Sequence, residues 1–278
     1  MHVFRLGPKR YQVNKGWGKL PTSLSYTNIS ALTIDHEGKI FVLQRSQPFM
    51  LIFNRTGELI DSWTDMDIVD GHYLYTTPDN KVFVVDRDSH RIVFFNHTGE
   101  KLDSIGDKRF PGAWRRPFNH PTDIAMTSNG HYYVTDGYGN CCVHHFDSNW
   151  QLVNTWGEKG ADAGAFSTPH AIVADSQDHL YITDRENNRI QIFNQQGAFL
   201  QEMRNLYHPM DIWFDKEGYI YVTDQTPSLN LFDSKQNLIG RCRTFGIYGH
   251  GIAVDESGSI YIAEMFPDSI TKLEIISS

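Results

Sequence analysis

Cysteine is scarce in this chain: three in 278 residues, Cys141, Cys142 and Cys242, an odd number with two adjacent. That excludes a disulfide framework and points to a reducing compartment. Long apolar runs are lacking as well. No stretch approaches the roughly 18 residues that would span a bilayer, and the opening MHVFRLGPKRYQVNKGWG has no apolar core of secretory type. A cytoplasmic protein without a membrane partner is therefore expected. Basic runs are missing too. The formal net charge is −8 and no cluster of lysine and arginine stands out, so a nucleic-acid partner is not expected. Cys141 and Cys142 read first as small strand hydrophobes, with metal ligation as the alternative.

What the chain has in quantity is β-branched and aromatic sequence set in a repeat. Six segments share one pattern of strand, polar tight turn and strand: ISALTIDHEGKIFVLQ, HYLYTTPDNKVFVVD, TDIAMTSNGHYYVTD, HAIVADSQDHLYITD, MDIWFDKEGYIYVTD and HGIAVDESGSIYIAE. They close at Gln44, Asp86, Asp136, Asp184, Asp224 and Glu264, at intervals of 42, 50, 48, 40 and 40 residues. A second hairpin follows in most units, as in RIVFFNHTGEKLDSI and RIQIFNQQGAFLQEM. Four antiparallel strands recurring at this spacing describe propeller blades, so an all-β, six-bladed β-propeller is expected, one domain over residues 1–278. The sixth unit lacks a fourth strand, and KRYQVNKGWGKLP resembles the fourth strand of the third unit, NWQLVNTWGEKG. Residues near 9–17 are expected to complete the last blade.

Three histidines fall at one register position of the repeat, in alternate units only. His72, His170 and His250 each lie fourteen residues before the residue that closes their unit. A ring of such units would aim three imidazoles at one axis, an open site for a zinc-like ion with a position left for water or substrate. The other units carry Ser30, Thr122 and Met210 there, none a good ligand. Adjacent strands of a blade are antiparallel, so the start of the first and the end of the second share one end of the sheet. That rim should hold Arg45, Arg87, Gly137, Tyr138, Arg185, Gln225 and Met265. Tyr138 is either a base near the ion or an aromatic plug, and Arg45 and Arg185 are either carboxylate clamps or structural ion pairs. Arg87 shares their register without an assigned role. His120 and His208 sit two residues before the register and read as turn or supporting residues. His144 and His145 point to opposite faces of a strand and read as non-catalytic.

The stretch HPTDIAMTSNGHYYVTDGYGNCCVHHF…WGEKGADAGAFSTPHAIVADSQDHLYITDRENNRIQIF resembles peptidyl-α-hydroxyglycine α-amidating lyase (peptidylamidoglycolate lyase), an NHL-repeat propeller family. The resemblance is most specific from about residue 118 to 194, in DGYGN, GAFSTPH and DRENNRIQ. It implies a carbon–nitrogen lyase that splits an α-hydroxyglycine amide into glyoxylate and the shortened amide. It implies Zn²⁺, or another divalent transition metal, on His72, His170 and His250. It implies Tyr138 as catalytic tyrosine, Arg45 as the arginine that positions it and Arg185 as the carboxylate binder. The implied partner is a small molecule bearing a carboxylate and an α-hydroxy amide.

The chain also departs from that family. Gly139 and His120 stand where it has cysteines, and Tyr248 replaces a methionine. Gly251 stands where it has an aspartate for a structural Ca²⁺, which argues against that ion here. No copper monooxygenase part accompanies the repeat, so peptide amidation itself is not implied. Two other readings compete with the lyase. One is a metal-dependent hydrolase using the same histidines, and the other is a non-catalytic NHL interaction platform.

Overall fold

The computed structural model describes residues 2–276. It is an all-β, six-bladed β-propeller, and among the described residues the only helical elements are two three-residue 3₁₀ turns, Arg87–Ser89 and Arg185–Asn187. Blades 1 to 5 are four-stranded antiparallel sheets over residues 29–63, 71–106, 123–156, 169–203 and 209–243. No helix among the described residues is long and apolar enough to cross a membrane.

Blade 6 takes three strands from residues 248–276 and is completed from the other end of the chain. Strand Lys9–Lys15 pairs with Ser269–Ile276, Tyr11 lying opposite Ile275. A fifth strand, Val3–Leu6, pairs with Lys9–Lys15 and was not expected, because its alternation is short and mostly exposed. Leu6 and Tyr11 are fully buried, so the added strands bring apolar surface into the blade as well as main-chain bonds.

The strand pairs turn on a recurring device. The side-chain oxygen of Asn54 accepts the backbone N–H of residues 56 and 58, Asn194 those of 196 and 198, and Asp233 those of 235 and 237. Asn and Asp recur at these points because their short acceptors close a turn onto its own backbone.

By contacts the chain falls into two compact units: residues 1–66, 76–80 and 213–278, and residues 67–75 and 81–212. In the first, Trp17, Leu32, Val42, Phe53 and Tyr261 share one core, and Tyr11, Tyr221, Leu231 and Ile262 another. In the second, Tyr133, Val143, Trp156, Phe166 and Phe193 form a core.

The residues that close the repeats act as clamps. Gln44, Asp86, Asp136, Asp184, Asp224 and Glu264 are all fully buried. Asp86 accepts the N–H groups of Val69 and Asp70, Asp136 that of Asn119, Asp184 that of Ser167, and Glu264 those of Phe245 and Gly246. Gln44 likewise accepts the N–H of Thr27, so in five of the six blades the closing side chain ties down the segment that leads into its own blade, just ahead of the register position.

Candidate metal and catalytic site

Blades 2 and 4 deliver their histidines in the same way. His72 lies in strand Gly71–Thr76 and His170 in Pro169–Ala174, both buried. His72 Nδ1 lies 2.7 Å from the Thr122 carbonyl, and His170 Nδ1 lies 2.7 Å from that of Met210. In blade 6, His250 Nδ1 lies 2.5 Å from the Ser30 carbonyl. A carbonyl only accepts, so each Nδ1 carries the proton and each Nε2 keeps its lone pair. The carbonyls belong to the register residues of the three units without histidine. That is the tautomer a metal ligand needs, fixed by an outer hydrogen bond. One ring nitrogen from each of His72, His170 and His250 falls within 4.8 Å of the others. The donor set therefore fits a divalent transition metal.

Tyr138 stands against this set. Its hydroxyl lies 3.1 Å from His72 Nε2 and accepts from Arg185 Nη1 at 3.2 Å. With His72 protonated at Nδ1, the phenol donates to Nε2. An ion on Nε2 and the Tyr138 hydroxyl therefore compete for one lone pair. The guanidinium carbons of Arg87 and Arg185 lie 5.5 and 5.4 Å from the centre of the Tyr138 ring. Two cations so placed favour electron density on that ring.

The rim residues are held by one repeated backbone bond. The N–H of Arg45 donates to Asn28, that of Arg87 to Asp70, that of Tyr138 to His120 and that of Arg185 to Thr168, at 3.2, 2.9, 3.3 and 3.1 Å. Each acceptor lies two residues before a register position. In blade 3 the bond falls one residue late, on Tyr138, because Gly137 takes the place of the arginine. A Cβ on Gly137 would sit 2.0 Å from the Pro169 carbonyl, so no other residue fits there.

The two arginine turns match closely. Arg87 is held by Asp70 at 2.5 Å and Asp88 at 2.8 Å, and Arg185 Nε by Glu186 at 2.8 Å. Burial of Arg87 works against its charge, but Asp88 and Asp70 outweigh it and hold the guanidinium above its ordinary value. His90 and Asn188 end these turns in the left-handed region, at φ 54° and 57°. His120 and His208 are left-handed too, at φ 59° and 47°, which makes them turn residues. His208 Nε2 lies 3.4 Å from Glu186. In blade 6, a side chain on Gly251 would meet the Ala31 backbone at 2.9 Å.

A buried acidic pair beside the site was missed. Tyr73, next to His72, donates to both carboxylate oxygens of Asp211 at 3.0 and 3.1 Å. Asp123 accepts from the N–H groups of Ile124 and Ile172. Burial, then Asp211, push the Asp123 carboxyl well above the ordinary carboxylate range. The signal was present as an aspartate directly after the register position in blades 3 and 5.

Comparison with known proteins bears on the family resemblance and the fold. The NHL repeat family matches residues 118–146 and 166–193. The chain is similar to peptidyl-glycine alpha-amidating monooxygenase B of Xenopus laevis, 29% identical over 58% of this chain and 21% of that protein. It is also similar to a probable peptidyl-alpha-hydroxyglycine alpha-amidating lyase of Caenorhabditis elegans, 30% identical over 62% of this chain and 54% of that one. The match thus spans about a fifth of the monooxygenases it resembles. Virginiamycin B lyase from Staphylococcus aureus shares the fold, with a TM-score of 0.72 at 15% identity, covering 96% of this chain and all of that one. The expected resemblance to amidating lyases and NHL propellers is borne out.

Proposed function

We propose that the chain is a metal-dependent carbon–nitrogen lyase that splits an α-hydroxyglycine amide, or a related carbinolamide, into a 2-oxo acid and an amide. The observation that carries this reading is the grouping of three imidazoles, fixed in the ligating tautomer, with two guanidinium groups against the Tyr138 ring. The similarity to amidating lyases supports the same chemistry. His72, His170 and His250 would hold the metal, Zn²⁺ in this reading, which supplies Lewis-acid polarisation of an oxygen.

The chain's own groups supply the rest. Tyr138 Oη is the atom through which the proton of the substrate hydroxyl leaves. As that proton departs, the carbon–oxygen bond becomes a carbonyl, the C–N bond breaks, and its electron pair and a proton end on the amide nitrogen. Arg185 donates to Tyr138 Oη and offers its guanidinium to the substrate carboxylate. Arg45, after the second strand of blade 1, is assigned to positioning the tyrosine, as the family resemblance implies. The reading treats residues 1–278 as one domain closed by the N-terminal strand. The free thiols of Cys141, Cys142 and Cys242 suit the reducing cytoplasm assigned to it.

The test uses untagged protein, elemental analysis and an N-acyl-α-hydroxyglycine as substrate. The expected result is one equivalent of metal lost in His250→Ala, together with glyoxylate release. Metal bound as expected but no glyoxylate above the protein-free rate would remove the lyase and favour hydrolysis at the same centre. Equal metal in both proteins would remove the metal centre itself.

A further inference from the structure

A second cluster, in blade 3, has the composition of a metal site of another kind. In blades 2 and 4 the buried closing aspartate faces an arginine on the next strand. Asp86 is in register with Arg91 and Asp184 with Arg189, at 3.1 and 2.8 Å. In blade 3 the same register puts Cys142 opposite Asp136. His144, two residues on, turns its Nε2 to Asp136 Oδ2 at 3.1 Å and to Cys142 Sγ at 3.6 Å. All three side chains are fully buried, and their ligand atoms lie within 4.8 Å of one another.

Charge is the first argument. Asp136 has lost the guanidinium that Asp86 and Asp184 keep. Blade 5 shows another way to satisfy such a carboxylate: Asp224 takes Thr226, Ser228 and Asn230 as neutral donors. Blade 3 uses a thiol and an imidazole instead, the pair that selects transition metals. Arg115, the cation acting on Cys142, gives its own hydrogen bond to the Thr155 carbonyl.

Geometry is the second argument. A tetrahedral ion with bonds of about 2.0 Å to nitrogen or oxygen and about 2.3 Å to sulfur separates its ligands by roughly 3.3–3.6 Å. The observed 3.1 and 3.6 Å need only a small adjustment. His144 Nδ1 lies 2.9 Å from Thr155 Oγ1, which can accept its proton and leave Nε2 free to ligate. Asp136 also accepts from Asn140 at 2.8 Å and from the Asn119 N–H.

We propose that Asp136, Cys142 and His144 form a second, buried site for a thiophilic divalent metal of the zinc type. The ion would do in blade 3 what arginine does in blades 2 and 4. It would tie the second and third strands together directly behind the Tyr138 turn. The proposal is independent of the lyase reading, and either can fail alone.

Cobalt(II) titration of the metal-free full chain separates the two sites, because only a sulfur ligand gives a near-ultraviolet thiolate-to-cobalt charge-transfer band. Two equivalents should bind, and the band should accompany one of them. Cys142→Ser should lose the band and one equivalent. His170→Ala should lose the other equivalent and keep the band. A Cys141→Ser/Cys242→Ser double variant should keep the band, which assigns it to Cys142 even if Cys142→Ser does not fold. Absence of the band from the wild-type chain at saturating cobalt overturns the proposal, as does a band that survives Cys142→Ser or is lost in the double variant.

Discussion

Replacing Tyr138 by phenylalanine removes one oxygen and leaves the ring against which Arg87 and Arg185 lie. The oxygen makes two hydrogen bonds, at 3.1 Å to His72 and 3.2 Å to Arg185, and the residue is 37% exposed. Water can replace part of what is lost, so the stability cost should stay below about 1.5 kcal/mol. That is small against the roughly 5–15 kcal/mol of a typical domain, and the variant should stay folded. The chemical cost should be far larger. A group that moves a proton in the transition state is worth about 10²- to 10⁴-fold, or roughly 3–5 kcal/mol of barrier. Metal binding should not weaken, because the hydroxyl and an ion compete for His72 Nε2. The measurements are kcat for glyoxylate release at saturating substrate, a thermal melt and the metal content of the same sample. A variant that keeps metal and fold yet retains more than about a tenth of kcat, against the expected hundredfold loss, would show that Tyr138 does not carry the proton.

Other consequences can be checked separately. Metal at a hundredfold excess over its Kd should stabilise the fold by about 2.7 kcal/mol, seen as a rise in Tm that a chelator reverses, and His170→Ala should abolish the part due to the three histidines. Removing residues 1–15 deletes Leu6 and Tyr11, now fully buried, uncovers the core they pack on, Leu231 and Ile262 included, and strips strand Ser269–Ile276 of its partner. The loss should be on the order of 3–6 kcal/mol, read by urea unfolding, and an unchanged midpoint would contradict the closure. His90 is held below the ordinary imidazole value by burial, then by His120, and its Nδ1 accepts the His120 N–H at 3.2 Å. The fold thus favours neutral His90. That contribution is complete above the ordinary imidazole value and is lost as pH falls through the lower folded value. His90→Asn, with the residue blade 4 carries as Asn188, should flatten this part of the acid limb in Tm against pH.

The fold was legible because each unit repeats its own punctuation. A buried acid or glutamine closes each inner hairpin, and Asn or Asp closes the turns, so six units could be counted. Strand Val3–Leu6 escaped because only Leu6 of its four residues is buried. Within the site, the histidine register was a matter of counting, and so was the turn that carries Tyr138. The carbonyls that set the histidine tautomers were not legible, since a main-chain oxygen has no letter of its own. Arg87 was visible at the right register, but its place over the Tyr138 ring depends on the one-residue offset that Gly137 permits. Asp123 and Asp211 were not legible as a pair, because each stands one residue after the register position and only the fold buries the two carboxyls near each other.

Those carbonyls have an evolutionary consequence. Ser30, Thr122 and Met210 hold the ligand rings through atoms that every amino acid possesses. A point mutation can change their side chains but cannot delete the acceptor. Those three positions can therefore change in sequence, and reshape what lies beside the histidines, while the protonation pattern of the ligands is inherited intact.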